Sequence, residues 1–349
     1  MRVTHFAEIA PNRCGLYGTA RDLITAEKKV GIDAGIVDAT LSKGDSIYNG
    51  KLEMYPKNVD PGLKAETLEW AMSSDVFVRH SLLPTGVQNL GKPLVMAVHG
   101  RPESSYRLEE SGTIPVINTF QRRGADKRYK AFPVFWKEYM SFWSTIIPKE
   151  KLFYIPAPVD LEYYAPFGEP YDLGEHRGSP NILICDIWRD DVVPLNMILA
   201  ALEFQQKYCK TAKIHLLAVQ GKVLNALAPI LKGVKDLGAL GIICGQTKEI
   251  NKFYASADMV ITPHVIATRI VRESLASGVP VVAGSGNKYT PYTANPMDVS
   301  SFAKSINDCW VDIKEDDKTV RTYARKMAEA CFNPLNTGMA IKEMFEVII

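Results

Sequence analysis

Short apolar runs alternate with longer amphipathic stretches along the whole chain, the pattern that forms when a parallel sheet is wrapped by crossover helices. In the first half, residues 3–9, 34–38, 76–80 and 94–99 read as strands, and residues 15–30, with Leu23, Ile24 and Ala26 on one face, read as the first helix. Weaker signals cover 114–119 and the aromatic stretch 131–143. A second series begins after residue 180, with strands at 181–186, 214–219, 241–244, 259–263 and 279–283 and helices between them. Residues 155–180 are dense in proline and glycine, follow neither a helical nor a strand period, and mark a linker. Residues 318–330 and 337–349, parted by Asn333-Pro334, are amphipathic and predict two terminal helices.

The expected architecture is therefore α/β, with two doubly wound Rossmann-like domains. The first covers 1–155, the linker 156–180, and the second 181–335; a last helix over 336–349 is expected to pack back on the first domain. Ligands of such sheets bind outside the carboxyl ends of the strands, so two strand sets predict a site in a cleft between the domains.

Composition narrows the classes. The 349 residues exceed one typical domain. A hydrophobic share of 46% and a charged share of 23% are those of ordinary globular proteins, which excludes a disordered or collagen-like chain. The net charge of +2 argues against wholesale attraction to nucleic acid or membrane and leaves only local patches to consider. The opening MRVTHFAEIAP lacks the pattern of a secretory signal, and no apolar run approaches the ~18 residues of a membrane span, so a cytoplasmic protein is expected. Cys14, Cys185, Cys209, Cys244, Cys309 and Cys331 lie far apart, without metal-ligand spacing, and read as small hydrophobes in a reducing compartment.

The stretch ITPHVIATRIVRESLASGVPVVAG, residues 261–284, carries the most chemistry. It reads as strand, loop, helix and strand. The loop over 265–270 opens the helix, so free backbone N–H groups of Val265, Thr268, Arg269, Ile270 and Val271 can take a phosphate at the positive end of the helix dipole. Glu273 falls in or near the first helical turn, where a carboxylate can accept two hydroxyl hydrogen bonds from a ribose or can simply complement the dipole.

This stretch resembles the nucleotide-sugar-binding segment of glycosyltransferase family 4. There a proline-serine, a glycine-rich loop, a Glu-Ala-x-Ala-x-Gly helix start and a Pro-Val-Val strand follow in order. Three further segments are similar to that family: ICGQTKEINKFYASADMVITP just before it, with Gly245, Phe253, Tyr254, Ala257 and Asp258; KLFYIPAPVDLEYYAP ahead of the linker; and the glycine turn APNRCGLYGTARDLI, with Gly15 and Gly18. Together they span nearly the whole chain in the family's order. The resemblance implies two domains of the GT-B type and retaining transfer from a nucleoside-diphosphate sugar, UDP-linked forms included. It implies no required cofactor or metal.

Residue by residue, the resemblance gives Glu273 the ribose, and Arg189, with the loop amides, the leaving diphosphate, whose charge preorganised donors stabilise. Gly15 would lie against the donor and Gln246 near its base. His99, ending PLVMAVHGRPE, would face the donor sugar or the acceptor, where an imidazole can exchange a proton near neutral pH. His80 and His264 have weaker claims of the same kind. The chain departs from the family in two places. Val193 and Pro194 stand where a lysine pairs with the arginine, and Val265 stands where a first glutamate is usual. Arg269 and Lys222 are candidates for the missing positive charge.

On the acceptor side, Tyr17 and the basic segment QRRGADKRYK, with Arg122, Arg123 and Arg128, suit an anionic acceptor, DNA included, although such a segment also occurs as a solvated surface loop. A glycan or small molecule is equally admissible as acceptor. Two other functions fit the same pattern: a nucleotide-sugar-binding protein without turnover, and a sugar-nucleotide epimerase.

Overall fold

The computed structural model describes residues 1–7, 15–38, 68–80, 83, 85–99, 102, 116–185, 195–219, 221–245, 247 and 249–349. The chain forms two units, Met1–Pro158 with Phe332–Ile349, and Val159–Cys331.

In the first unit the order is β1 (Arg2–Ala7), α1 (Gly15–Lys29), β2 (Asp33–Asp38), α2 (Leu68–Met72), β3 (Val76–Arg79), α3 (Thr85–Gln88), β4 (Leu94–Met96), α4 (Val116–Ala125), β5 (Tyr129–Val134), α5 (Met140–Trp143) and β6 (Leu152–Tyr154). All its strand pairs are parallel, in the order β2-β1-β3-β4-β5-β6. Strands such as Val76–Arg79 are buried at every position because helices cover both faces, which explains their continuous apolar runs. One face packs Val3, Val78 and Val95 against Leu23 and Ile24 of α1. The other packs Phe6, Phe77 and Phe132 against Phe120 and Trp143.

The second unit holds β7 (Asn181–Ile184), α6 (Leu195–Lys207), β8 (Lys213–Leu216), α7 (Gly221–Asp236), β9 (Leu240–Ile243), α8 (Ile250–Ser256), β10 (Met259–Ile261), α9 (Arg269–Ala276), β11 (Val281–Gly284), β12 (Thr293–Ala294) and α10 (Val299–Cys331). Its sheet is also parallel, in the order β12-β11-β10-β7-β8-β9. Its core gathers Ile182, Ile184, Phe204, Ile214, Leu216 and Phe302. Residue by residue, both sheets bear out the doubly wound α/β expectation.

The differences have local causes. Of the signal at 114–119, residues 116–119 belong to helix α4, whose buried Thr119 and Phe120 are adjacent in its last two turns, and residues 114 and 115 lie outside the described residues. The aromatic stretch 131–143 splits, because β5 ends at Val134 and a short helix follows. The helix expected from 318 is the second half of α10, which breaks at Asp316 (φ −155°, ψ 79°). There the Asp316 carboxylate accepts the Thr319 amide at 3.0 Å and restarts the helix. The proline-rich stretch from Val159 onward packs within the second unit, with Tyr171 stacked on Phe253 at 4.0 Å between ring centres. No described helix is long and apolar enough to cross a membrane.

The last helix, α11 (Pro334–Ile348), belongs to the first unit. Its start is fixed by the Asn333 side chain, which accepts the Leu335 amide at 2.9 Å, and by Pro334 in the first turn. It lies against α1 so closely that a Cβ on Gly338 would sit 2.3 Å from the Ala26 carbonyl oxygen. Glycine is thus the only residue that fits there without moving backbone. Replacing it, Gly338→Ala, is expected to destabilise the first unit by about 1–3 kcal/mol through overpacking. Urea unfolding of the intact chain followed by tryptophan fluorescence measures this, and an unchanged midpoint would contradict it.

Candidate active site

In the second unit β8 and β9 extend the sheet to one side of β7, while β10, β11 and β12 extend it to the other. The order reverses between β7 and β10, and the carboxyl ends of strands at such a switch point are where ligands of open α/β sheets bind. The chain leaves β10 there, forms a loop over 262–268, and enters α9. This loop is held by backbone and side-chain bonds. The Gly284 amide donates to the His264 carbonyl at 3.2 Å, and the buried Asn287 side-chain amide donates to the carbonyls of His264 at 3.2 Å and Ile266 at 3.4 Å. A Cβ on Gly284 would lie 2.3 Å from the Pro263 carbonyl oxygen, so glycine is needed for β11 to run this close to the loop.

The first ladder bond of α9 runs from the Arg272 amide to the Thr268 carbonyl at 3.1 Å, so the earlier amides lie outside the intrahelical ladder. Thr268 occupies the N-cap in an extended conformation, with ψ 171°, yet its side chain does not cap the helix. Its Oγ1 is buried and makes no hydrogen bond. The Thr268 amide, expected to be free for a phosphate, instead donates to the Ile266 carbonyl at 2.8 Å, so the helix start offers an anion its first-turn amides outside the ladder and the unpartnered Thr268 hydroxyl. Val265 is exposed, Ile270 is half-buried, and the Val271 side chain is fully buried. What Ile270 and Val271 can offer a ligand is therefore backbone.

Glu273 lies one turn into α9 and is only 5% exposed. Its oxygens are occupied. The Tyr164 hydroxyl donates to Oε1 at 2.7 Å, the Tyr254 hydroxyl donates to Oε2 at 3.1 Å, and the Arg269 guanidinium pairs with Oε1. Three donors thus fill most of the Glu273 acceptor capacity, and the Arg269 guanidinium answers Glu273 through one of its nitrogens. The Tyr254 phenol is pushed well above its usual range, first by burial and then by the Glu273 charge, which keeps it a donor. Arg325 of α10 fixes the assembly from outside, donating to the carbonyls of Leu161 and Tyr164 at 3.1 Å and of Ala276 at 2.7 Å. Tyr164 lies in the family-like segment KLFYIPAPVDLEYYAP but is not singled out there as a site residue, and nothing in the sequence marks Arg325.

In the first unit His99 follows β4, just past the bridge between Val98 and Val134 at the carboxyl end of the sheet. It is half-buried, with its ring 5.4 Å from that of Phe135. Its Nε2 lies 2.8 Å from Nδ1 of His80, whose Nε2 lies 2.8 Å from Nδ1 of His5, whose Nε2 lies 2.9 Å from Oε2 of Glu27. Burial lowers the His99 imidazole to about 3. Burial, and then the neighbouring His99 and His5, hold His80 well below the usual range, so both rings are neutral at pH 7.

The residues assigned to the acceptor do not join His99. Tyr17 is 2% exposed and packs in the core with Val3, Ala20 and Leu23, because the helical period of α1 turns it inward. Arg122, Arg123 and Arg128 lie around the amino end of β5, where the Arg128 carbonyl accepts the Leu94 amide at 3.1 Å. That is roughly 20 Å of strand away from the carboxyl end. Arg123 binds the Tyr129 hydroxyl and lies 5.3 Å over its ring, while Arg128 pairs with Asp126 at 2.7 Å. Arg122 is exposed, with the Thr119 hydroxyl 3.4 Å from its Nη2. Arg189, Gln246, Val193, Pro194 and the Lys222 side chain fall outside the described residues, and Gly15 is described only as the first residue of α1.

No family model and no curated protein matches the chain. Solved structures do. A glycosyltransferase from Rickettsia africae superposes with a TM-score of 0.67 at 14% identity, over 99% of this chain and 98% of that one. HepE from Anabaena, solved in complex with UDP and glucose, gives 0.67 at 15% identity over 99% and 100%. Sucrose-phosphate synthase from Thermosynechococcus elongatus gives 0.65 at 13% identity over 99% and 98%. At these identities the likeness establishes the fold: two Rossmann-like units of the GT-B class.

Removing the carboxylate at Glu273 leaves two buried tyrosine hydroxyls and Arg269 without their acceptor. Glu273→Ala is expected to cost about 3–5 kcal/mol, as loss of one partner of a buried charged pair does. Chemical unfolding of the intact protein measures it, and a cost under about 1 kcal/mol would show that the cluster is not what holds α9 in place.

Proposed function

We propose that this protein is a glycosyltransferase that takes a nucleoside-diphosphate sugar on its second unit and passes the sugar to an acceptor hydroxyl; the resemblance to glycosyltransferase family 4 assigns contact with the donor sugar or that hydroxyl to His99. The observation that carries the reading is the start of α9 at the sheet's switch point, where first-turn amides lie outside the helical ladder and the buried Thr268 hydroxyl lacks a partner. A diphosphate leaving group supplies the acceptors these donors need, and fixed donors in a water-poor site stabilise the charge it develops. The GT-B fold shared with solved glycosyltransferases, one of them holding UDP and glucose, supports the same reading. The resemblance to glycosyltransferase family 4 adds retention of configuration, and assigns the diphosphate to Arg189. In this reading amides and cationic side chains meet the diphosphate, and no metal or cofactor is called for. A UDP-linked donor is the first to test, with a glycan, a small molecule or a modified DNA base as acceptor.

One observation favours a second reading. Glu273 Oε1 already takes two donors and Oε2 takes the Tyr254 hydroxyl, which leaves the carboxylate a single acceptor site for a ribose rather than the two a ribose pair would use. A protein that binds the nucleotide sugar and releases it unchanged would also be built this way.

A thermal-shift panel of nucleotide sugars, followed by product analysis of whichever donor binds, tests both. A true donor at 100 times its Kd stabilises the fold by about 2.7 kcal/mol by mass action. Thr268→Val is expected to weaken that donor by about five- to tenfold, the worth of roughly one hydrogen bond, without unfolding the protein. Binding without turnover selects the second reading. If no nucleotide sugar raises the melting temperature of the folded protein, both are lost.

A further inference from the structure

Glu27 is 1% exposed, and His5 and His80 are 0% and 6% exposed, yet the four side chains Glu27, His5, His80 and His99 form one unbroken row of hydrogen bonds. The surroundings make this costly. Leu23, Val78, Val95, Phe135, Ile341 and Met344 line the space around Glu27 and His5. Among the described residues Glu27 has one recorded hydrogen-bond partner, His5. On the elements packed around it, Asp22 pairs with Arg21, and Lys342, Glu343 and Glu346 of α11 are exposed. Burying a carboxylate against a single neutral donor loses several kcal/mol of hydration, and a leucine there would match its neighbours.

We propose that Glu27, through His5 and His80, sets the tautomer of His99 and serves as the remote proton store for the hydroxyl that His99 meets. Glu27, His5 and His80 are positioning residues in this scheme. It rests on the placement of His99 at the acceptor given above.

The direction of the row follows from donor and acceptor counting. A carboxylate only accepts, so His5 must donate from Nε2, which leaves its Nδ1 bare. His80 Nε2–H then donates to His5 Nδ1, and His99 Nε2–H donates to His80 Nδ1. The outer nitrogen of His99, Nδ1, is thereby a lone pair facing away from the row. The lowered proton affinities of His80 and His99 agree with neutral rings at these two positions.

When a substrate hydroxyl gives up its proton, the O–H bond breaks and an N–H bond forms at His99 Nδ1. The Nε2 proton of His99 passes to His80 Nδ1, that of His80 to His5 Nδ1, and that of His5 to Glu27 Oε2. The substrate oxygen keeps the electron pair for attack on the anomeric carbon. Glu27 ends as a neutral acid, and all three rings end neutral in the Nδ1–H form. No ring carries charge at either end, which suits a buried row. The reverse passage returns the proton to solvent through half-buried His99.

Long-range proton–nitrogen correlation spectra of the intact, 15N-histidine-labelled protein at pH 7 read the tautomers directly. The expected result is Nε2–H for His5, His80 and His99. In Glu27→Met, which removes the acceptor and suits the apolar walls, His99 should lose its pure Nε2–H form, and kcat should fall about tenfold or more with the donor KM within about twofold. An Nδ1–H or doubly protonated His99 in the unaltered protein overturns the proposal, as does a Glu27→Met variant with unchanged tautomers or unchanged kcat. The spectrum of the unaltered protein decides even if that variant fails to fold. Absence of turnover with every nucleotide sugar would instead remove the transferase reading, and the tautomer pattern would still be decided.

Discussion

The N-terminus of a helix cannot satisfy its own first amides, and the second unit places one such terminus, that of α9, beside the switch point of a parallel sheet. Everything proposed about chemistry in that unit depends on α9 starting where it does. The start is over-determined: Gly284 lets β11 approach Pro263, Asn287 ties down two loop carbonyls, and the Glu273 cluster with Arg325 fixes the body of the helix. Rigid donors of this kind need no reorganisation when a leaving group develops charge.

The first unit solves a different problem with the same fold. Its strand order reverses between β1 and β3, and His5 of β1, His80 just after β3 and His99 just after β4 line up across that reversal. Glu27 completes the row only because α11 covers α1. Gly338 sets how closely the two helices meet, and thereby how dry the carboxylate is. A packing feature at the end of the chain thus controls the electrostatics of a residue near its beginning.

The architecture was legible because strands buried on both faces leave continuous apolar runs; the strands at 181–184, 213–216 and 259–261 fall inside or within one residue of the runs that predicted them. The loop before α9 was legible for the same reason, lying between two such runs. The contacts made by side chains were less so. Glu273 and Arg269 are four residues apart and could have been read as a helical pair, but the tyrosines that complete the cluster come from 109 and 19 residues away. His5 and Glu27 lie in the predicted first strand and first helix without any signal that would single them out; the packing of α11 helps make the second a buried group. Charge density says nothing about which end of a strand a basic segment occupies, and the segment around Arg128, read as an acceptor patch or a solvated loop, lies at the amino end of β5. His215 shows how a histidine can be wholly structural: its Nδ1 accepts the Ile242 amide at 3.1 Å, and its ring packs on Gly241.

The central claim is that the loop and first turn of α9 bind the diphosphate of a nucleotide. Amide hydrogen exchange with and without saturating UDP tests it at the residues concerned. Slowed exchange centred on residues 264–271, with the amino end of β5 around Arg128 unaffected, is the predicted result. Protection elsewhere in the second unit with no change over 264–271 would contradict it.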